Sequence, residues 1–550
     1  MMRLTRSFML LGLVAAVAAC SDPLDVDNVD SPDRGIVFAK PSDVAGIVST
    51  QYGQIITGTI GATARVHTGF LTASFENAST LANNGLGPRS AMPRPLLDNS
   101  RGNAYLNENF NDYRFMSQAA RVAATAIAKG REPNFEPTLG APQTARMRAF
   151  AWFVYGVAVG NLAMVYDSAA VPLPEDGPLD INPLIGYEEV ADVALEALDS
   201  AFVHASSAGA AGAFPLPDAW LSATGVTQPR FVQLIRSSRA RVRANVARTP
   251  AERGAVDWTK VIDDATNGIT TDFNSTFNPN TAFDYTWLAT GTHFRDTNWH
   301  QMTPYIVGMA DSSGAYNEWL AVRRSDRVPF LIKTLDRRFP AGETRAAQNA
   351  VGQGAPTGRR YFRNRAPGLD QAATGWQNSQ YDHYRWRAFA DAGRIGPFPI
   401  FTVAENDLLA AEGYLRTGQI ASAATLIDRT RTTAGLPALS GVVTSLTQQI
   451  LGGNACVPRV PVGPSFTSTQ CGTILEALKW EKRMETAYTV YGAWYFDSRG
   501  WGDLPEGTPL SWPVPYQELD ARLLPIYTLG GVGGSAAAGV STYGFGTGDR

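Results

Sequence analysis

The feature that most constrains the fold is a pair of periodic segments, 403–416 and 420–431, joined by the short turn Thr417-Gly418-Gln419. In the second segment the apolar residues recur at positions i, i+3, i+4 and i+7, and so share one helix face: Ile420, Ala423, Ala424 and Ile427. The first segment carries small residues that allow close contact between helices. Gly435 and Pro437 then end the unit. The pattern predicts a helical hairpin that packs as a tetratricopeptide unit does.

Helical periodicity recurs along much of the chain, in the segments 143–166, 187–202, 231–247, 258–269 and 474–488. The first of these is apolar around nearly its whole circumference, which indicates a buried helix. Several helical hairpins in succession indicate a helical-repeat scaffold. We therefore predict a mainly α fold, a tetratricopeptide-like scaffold of helical hairpins with little β structure.

Two long segments, about 59–111 and 271–399, show little periodicity. Loops of this length in a compact protein are usually functional, so we predict that these two segments face a ligand. The second segment is rich in tryptophan: Trp287, Trp299, Trp319, Trp376 and Trp386.

The aromatic and amide side chains of these segments suit a carbohydrate ligand. Sugar rings pack their C–H faces against flat aromatic rings, and their hydroxyl groups form hydrogen bonds with polar side chains. The candidate ligand-binding residues are Trp287, Trp299, Tyr316, Asn317 and Trp319 in the second segment, with Asn103, Tyr105 and Asn107 in the first. The alternative for each tryptophan is a place in the core.

The N-terminus has the pattern of an export signal. Arg3 and Arg6 precede a short apolar stretch, 8–17, and the sequence Val17-Ala18-Ala19-Cys20 matches a bacterial lipobox. We predict a signal peptide over 1–19 and lipidation at Cys20, the alternative being an ordinary secretory signal with a chance cysteine. No other stretch approaches the length of apolar sequence that spans a bilayer, so we expect an anchored protein.

The remaining chain divides into three parts. An acidic tether is predicted over 20–42, the helical domain over 43–529, and a flexible tail, rich in glycine, serine and alanine, over 530–550. Within the helical domain the clearest hairpin spans 403–431.

Cys456 and Cys471 are the only other cysteines, and export places them in an oxidising compartment. We predict a disulfide bond between them, since two thiols without a nearby histidine are half of a metal-ligand set. His293 and His300 flank Asp296, but this spacing does not place the three on one helix face. We therefore expect neither a metal site nor a cofactor.

Charge and motifs argue against several classes of function. The net charge is -3 and no run of five or six like charges occurs, so the sequence shows no nucleic-acid footprint. The sequence has no G-x-S-x-G, H-E-x-x-H or Walker motif, and we expect no enzymatic activity. Four acidic residues on the scaffold helices are predicted to be solvated or paired surface charges: Glu405, Glu412, Glu481 and Glu485.

Motifs in the last third of the chain resemble the SusD/RagB family. Residues 405–416 and Arg431-Thr432-Thr433-Ala434-Gly435-Leu436-Pro437 resemble that family's hairpin, written E-x-x-L-L-x-A-E-A … R-x-x-A-G-L-P. Glu481-Lys482-Arg483-Met484-Glu485, Phe496-Asp497, Trp501-Gly502-Asp503 and Trp512-Pro513-Val514-Pro515 resemble its C-terminal motifs. The chain departs from the pattern at Tyr491, where glutamate is usual, and at Trp494 and Gly500, where arginine is usual.

This resemblance implies a function as well as a fold. Members of the family are lipid-anchored proteins of the outer membrane, facing the cell surface, that bind glycans, peptides or other nutrients. Their partner is a TonB-dependent, SusC-like porin on which they sit as a lid. The resemblance thus implies capture of oligosaccharides and their delivery to such a porin. The alternatives are peptide capture, a secreted lipid-anchored hydrolase, and a structural or adhesive surface protein.

Overall fold

The structure is a computed structural model that describes residues 38–546 apart from eleven stretches or single residues. These exceptions are 62–65, 79–85, 93, 104–108, 178–179, 287–300, 351–360, 366, 368–378, 490 and 531–536. The predicted signal peptide, lipidation site and most of the tether therefore lie outside the described residues.

About half of the described residues are helical, in agreement with the predicted mainly α fold. The first helices are α1 (Pro41–Ser49), α2 (Gln51–Thr59), α3 (Val66–Ala73), α4 (Leu86–Ser90), α5 (Phe110–Gly130), α6 (Phe135–Leu139), α7 (Ala141–Val165), α8 (Tyr187–Ser206), α9 (Ala208–Ala211), α10 (Gln228–Asn245), α11 (Pro250–Ala255) and α12 (Trp258–Thr266). The later helices are α13 (Pro304–Val307), α14 (Ala315–Ala321), α15 (Arg345–Gln348), α16 (Arg387–Asp391), α17 (Val403–Arg416), α18 (Ile420–Arg431), α19 (Ile474–Thr486), α20 (Ala493–Trp501) and α21 (Tyr516–Ala521).

The hairpin α17–α18 has the bounds that the sequence predicts. The Thr402 side chain accepts a hydrogen bond from the Glu405 N–H and so caps α17. Gly418 turns the chain with φ +77°, a conformation that glycine adopts without strain. Ile427 is fully buried among apolar residues of both helices, which confirms the predicted register.

Helix α7 is the central helix of the first half of the chain. It packs between α5 and α8 and is mostly buried, as its apolar circumference predicts. A Cβ atom on Gly156 would lie 2.7 Å from Leu198 Cγ of α8, so the close contact between α7 and α8 requires glycine at this position. By length and composition α7 resembles a membrane span, but its burial identifies it as a core helix.

The strands that the structure describes are short, in agreement with the prediction of little β structure. They form four separate antiparallel pairs within the described residues. These pairs are β1 (Ser168–Ala170) with β2 (Leu184–Gly186), β3 (Phe273–Phe277) with β6 (Gly396–Phe401), β4 (Phe362–Asn364) with β5 (Tyr381–His383), and β7 (Arg459–Val462) with β8 (Ser468–Cys471).

The disulfide bond between Cys456 and Cys471 is confirmed, with the two Cα atoms 5.7 Å apart. It closes a loop with a sequence separation of 15, and a cross-link of that size contributes about 3 kcal/mol to stability in the chain-entropy account. The bond joins the segment just before β7 to the last residue of β8 and so closes the open end of this hairpin, just ahead of α19.

The C-terminal segment differs from the predicted flexible tail. Within its described part, 537–546, Tyr543 and Phe545 are buried. The Phe545 carbonyl accepts a hydrogen bond of 2.7 Å from the Glu506 N–H. The glycine-rich composition indicated a loose segment, but the two aromatic side chains give this part apolar surface to bury.

The four scaffold glutamates are buried, so their prediction as surface charges is wrong. Glu405, Glu412 and Glu481 have at most 1% of their surface exposed, and Glu485 has 7%. Each pairs with arginine from another part of the chain. Glu405 pairs with Arg241, Glu412 with Arg253 and Glu481 with Arg338. Glu485 pairs with both Arg338 and Arg385. Burial of a carboxylate is tolerated because the pairing and the hydrogen bonds offset the loss of hydration.

Candidate ligand-binding site

The two long segments are joined to each other at Ala78 and Gln301. The Ala78 N–H donates to the Gln301 carbonyl over 2.6 Å, and the Gln301 N–H donates back over 3.0 Å. The Gln301 side chain donates to the Ser379 carbonyl, so a later stretch of the second segment meets them there. The chain thus brings the end of α3 and the start of the 301–350 region to one place.

Two titratable groups on and just after α3, His67 and Glu76, are uncharged at neutral pH. Burial raises the pKa of the Glu76 carboxyl to about 8, although the Tyr488 N–H donates a hydrogen bond to it. Burial lowers the pKa of the His67 imidazole to about 3, and His67 Nε2 lies 2.9 Å from the hydroxyl of Tyr285.

Helix α14 carries three of the predicted ligand-binding residues: Tyr316, Asn317 and Trp319. Asp311 fixes the start of the helix, because its Oδ2 accepts hydrogen bonds from the N–H groups of Gly314 and Tyr316. Asp311 Oδ1 also accepts from the Lys333 N–H at 3.1 Å, which ties the helix to the following segment. The position of α14 is therefore set by one buried carboxylate.

Tyr316 and Trp319 lie inside an aromatic cluster. Both are buried, and the Trp319 ring packs edge-on against Tyr305 with the ring centres 5.0 Å apart. The Tyr316 hydroxyl donates to the Tyr305 carbonyl, and the Arg327 guanidinium lies 4.3 Å from the Trp319 ring centre. Ligand binding by these two residues stays a prediction, and it would require their rings to leave contacts that they make within the protein.

The amides of Asn317 and Asn103 contact different parts of the protein. Asn317 is half-buried, and its Oδ1 accepts a hydrogen bond of 2.7 Å from Thr469 of β8. Asn103 is buried and donates to the Asp98 carbonyl. It lies in a turn that the ion pair between Arg101 and Asp520 ties to α21.

The remaining predicted residues lie outside the described part of the chain. They are Trp287, Trp299, Tyr105, Asn107 and Cys20, together with the His293, Asp296 and His300 group. Among the residues that are described, no group of three or more His, Cys, Asp or Glu side chains could hold a metal ion.

A polar cavity of about 190 Å³ was not anticipated from the sequence. Its lining residues come from α5, from the loop between β1 and β2, and from α21: Tyr113, Ser117, Arg121, Asp180, Asn182, Glu518 and Arg522. The Arg522 guanidinium donates to the Asn182 carbonyl over 2.6 Å and closes one side. No motif could have indicated this cavity, because its lining comes from three distant stretches of sequence.

Comparison with solved structures shows that this is the fold of SusD-like proteins. A SusD superfamily protein from Bacteroides vulgatus is similar with a TM-score of 0.52 and 12% sequence identity, over 88% of this chain and 90% of the other. A SusD homologue from Parabacteroides distasonis has a TM-score of 0.52 and 14% sequence identity, over 83% of this chain and 84% of the other. A SusD superfamily protein from Bacteroides thetaiotaomicron has a TM-score of 0.52 and 12% sequence identity, over 88% of this chain and 97% of the other.

The resemblance seen in the sequence motifs is thus confirmed at the level of the fold. No protein-family profile and no curated protein sequence matches the chain.

Proposed function

We propose that this protein captures oligosaccharides at the cell surface and is not an enzyme. The observation that carries the proposal is the SusD-like fold combined with two long segments that meet at Ala78 and Gln301. Binding sites for small ligands are concave surfaces with few polar anchors, and converging loops on a rigid scaffold provide such a surface.

The neighbouring chemistry supports a neutral, hydroxylated ligand. Glu76 and His67, on and just after α3, are uncharged at neutral pH, so these two buried groups add no charge to this region. Trp287 and Trp299 belong to the segment whose flanking residues Tyr285 and Gln301 are buried in this region. Of the predicted aromatic platforms we therefore favour Trp287 and Trp299, since the Trp319 ring is occupied by protein contacts.

Replacing Trp287 or Trp299 with alanine should weaken oligosaccharide binding by roughly 1–3 kcal/mol, the range of aromatic hot spots. The measurement is titration calorimetry with an oligosaccharide found by screening neutral glycans, with peptides screened in parallel. Trp152→Ala is the control, because Trp152 is a half-buried tryptophan on α7 that belongs to the scaffold. If both the Trp287 and the Trp299 variant keep the wild-type affinity, the ligand binds elsewhere. If only peptides bind, the ligand is a peptide and not an oligosaccharide.

Attachment to the membrane and partnership with a porin complete the proposal. The lipobox at Val17-Ala18-Ala19-Cys20 supports a lipid anchor on Cys20, and the fold supports a TonB-dependent, SusC-like porin as the partner that receives the ligand. In this arrangement the anchor keeps the protein on the outer membrane beside the porin.

Purification from gentle detergent extracts should therefore recover a large barrel protein with this chain. The experiment uses a C-terminal affinity tag and cells that grow on the relevant nutrient. Cys20→Ala provides the control, because loss of the anchor should release the protein and reduce recovery of the barrel. The partnership would be contradicted if the wild-type protein and the Cys20→Ala variant recovered the same background proteins and neither recovered a barrel protein.

A further inference from the structure

A second concave surface lies on the helical scaffold, among the first turns of α8, the end of α10 and helix α11. It is a groove of about 340 Å³. Its floor is apolar and consists of Ala191, Leu195, Val246, Ala247 and Val256. Ala191 and Ala247 are buried, and the other three are half-buried, so apolar surface is open to a ligand along the groove.

The rim of this groove is acidic. Glu188, Asp192 and Asp257 are exposed along it. The only cation among the lining residues is Arg243, and its guanidinium is already paired with Asp264 at 3.2 Å. The charges of Glu188 and Asp192 therefore give the groove a negative potential above its apolar floor.

One wall of the groove is held in place before any ligand binds. The Arg248 guanidinium lies 3.7 Å from the centre of the Tyr187 ring. The Tyr187 hydroxyl donates to Glu252 over 3.0 Å, and Glu252 also accepts from the Arg248 N–H. Arg248 in turn donates to the carbonyls of Ala163 and Tyr166 at the end of α7. A rigid wall lowers the entropic cost of binding.

We propose that this groove binds a short basic segment of a partner protein. One apolar side chain of the segment would lie on the floor, and flanking Lys or Arg side chains would pair with Glu188 and Asp192. Charge complementarity favours this occupant, because the acidic rim repels phosphate groups, nucleic acid and anionic lipid. The floor is aliphatic and offers no flat aromatic ring to a sugar, whereas helical-repeat scaffolds commonly hold peptide segments in their grooves.

The test uses two fluorescein-labelled peptides and the full chain. In the first peptide a single leucine is flanked by two lysines on each side, and in the second glutamates replace the lysines. Fluorescence anisotropy should show binding of the lysine peptide only. The double variant Glu188→Lys with Asp192→Lys should weaken that binding by about tenfold or more, because two attractive contacts become repulsive.

The matched control is the double variant Glu189→Lys with Glu196→Lys. These residues are exposed on the same helix α8 but do not line the groove, so the net charge changes equally. An equal loss of binding in both double variants would overturn the proposal, since it would show general electrostatic attraction only. Binding of both peptides, or of neither, would overturn it as well. Oligosaccharide affinity should be the same in all variants, which separates this groove from the proposed nutrient site.

Discussion

Arg338→Met is expected to destabilise the protein by about 3–5 kcal/mol, because it leaves buried carboxylates without their shared cation. Arg338 pairs with Asp336 at 2.7 Å, with Glu481 at 2.9 Å and with Glu485 at 3.3 Å. Arg431 is 3.7 Å from Glu481 and Arg385 is 3.4 Å from Glu485, so these two cations only partly replace the lost charge. Urea denaturation followed by far-UV circular dichroism measures the change.

The stability that Arg338→Met removes should depend on pH. Burial already raises the pKa of the Glu481 carboxyl in the folded protein, despite the nearby arginines, and removal of Arg338 raises it further. When a carboxyl has a higher pKa in the folded protein than in the unfolded protein, the folded protein loses stability as the pH rises from the unfolded pKa to the folded pKa. The variant should therefore be closer to wild type near pH 5 than at pH 7.

Arg429→Met provides a matched control for this prediction. Arg429 pairs with Asp407 at 2.7 Å, but more than half of its side chain is exposed. Surface ion pairs contribute about 0–1 kcal/mol, so the same substitution should have little effect there. Equal shifts of the denaturation midpoint for both variants would show that the buried cluster contributes no more than a surface pair.

Glu412→Gln should cost about 3–5 kcal/mol at neutral pH, because it leaves the charge of Arg253 buried without its partner. Both side chains are fully buried, and two hydrogen bonds join them at 2.9 and 2.6 Å. Asp497 also pairs with Arg253, at 3.1 Å, but Lys482 shares that carboxylate. The Trp501 indole N–H and the Arg416 guanidinium donate to Glu412 as well, at 3.1 and 3.3 Å, so the carboxylate accepts hydrogen bonds from three side chains.

Acid should reduce the difference between wild type and this variant. Burial raises the pKa of Glu412, but the charge and hydrogen bonds of Arg253 outweigh it and lower the pKa to about 2. A carboxyl whose pKa is lowered by folding stabilises the folded protein fully above its pKa in the unfolded chain. This stabilisation is lost as the pH falls through its pKa in the folded protein. The difference should thus shrink between about pH 4.5 and pH 2. Glu196→Gln, at an exposed position on α8, should show no such change.

Local periodicity predicted the helices well because it records which residues share a face. The bounds of α17 and α18 follow from the spacing of Ile420, Ala423, Ala424 and Ile427 and from the glycine turn between the helices. Periodicity could not predict that Glu412 is buried. Its partner Arg253 lies 159 positions away in the sequence, and only the tertiary fold brings the two side chains together.

The candidate site was less predictable for a related reason. An irregular segment rich in tryptophan suggested rings that bind a ligand, yet Trp319 packs against Tyr305 and stacks on Tyr316 within the main hydrophobic core. Sequence alone does not distinguish an aromatic ring that binds a ligand from one that fills an interior, because both need the same apolar surface. The acidic groove was missed because three separate helices line it.

Helix α7 has a consequence for how the chain reaches its native state. Uncovered, an apolar helix of this length would aggregate or enter a lipid bilayer. The helices that cover it, α5 and α8, are close neighbours in the sequence, so the unit 110–206 can assemble early through local contacts. Both sides of α7 can be covered only after α8 has been synthesised, so the order of synthesis determines when this apolar helix becomes protected from misassembly.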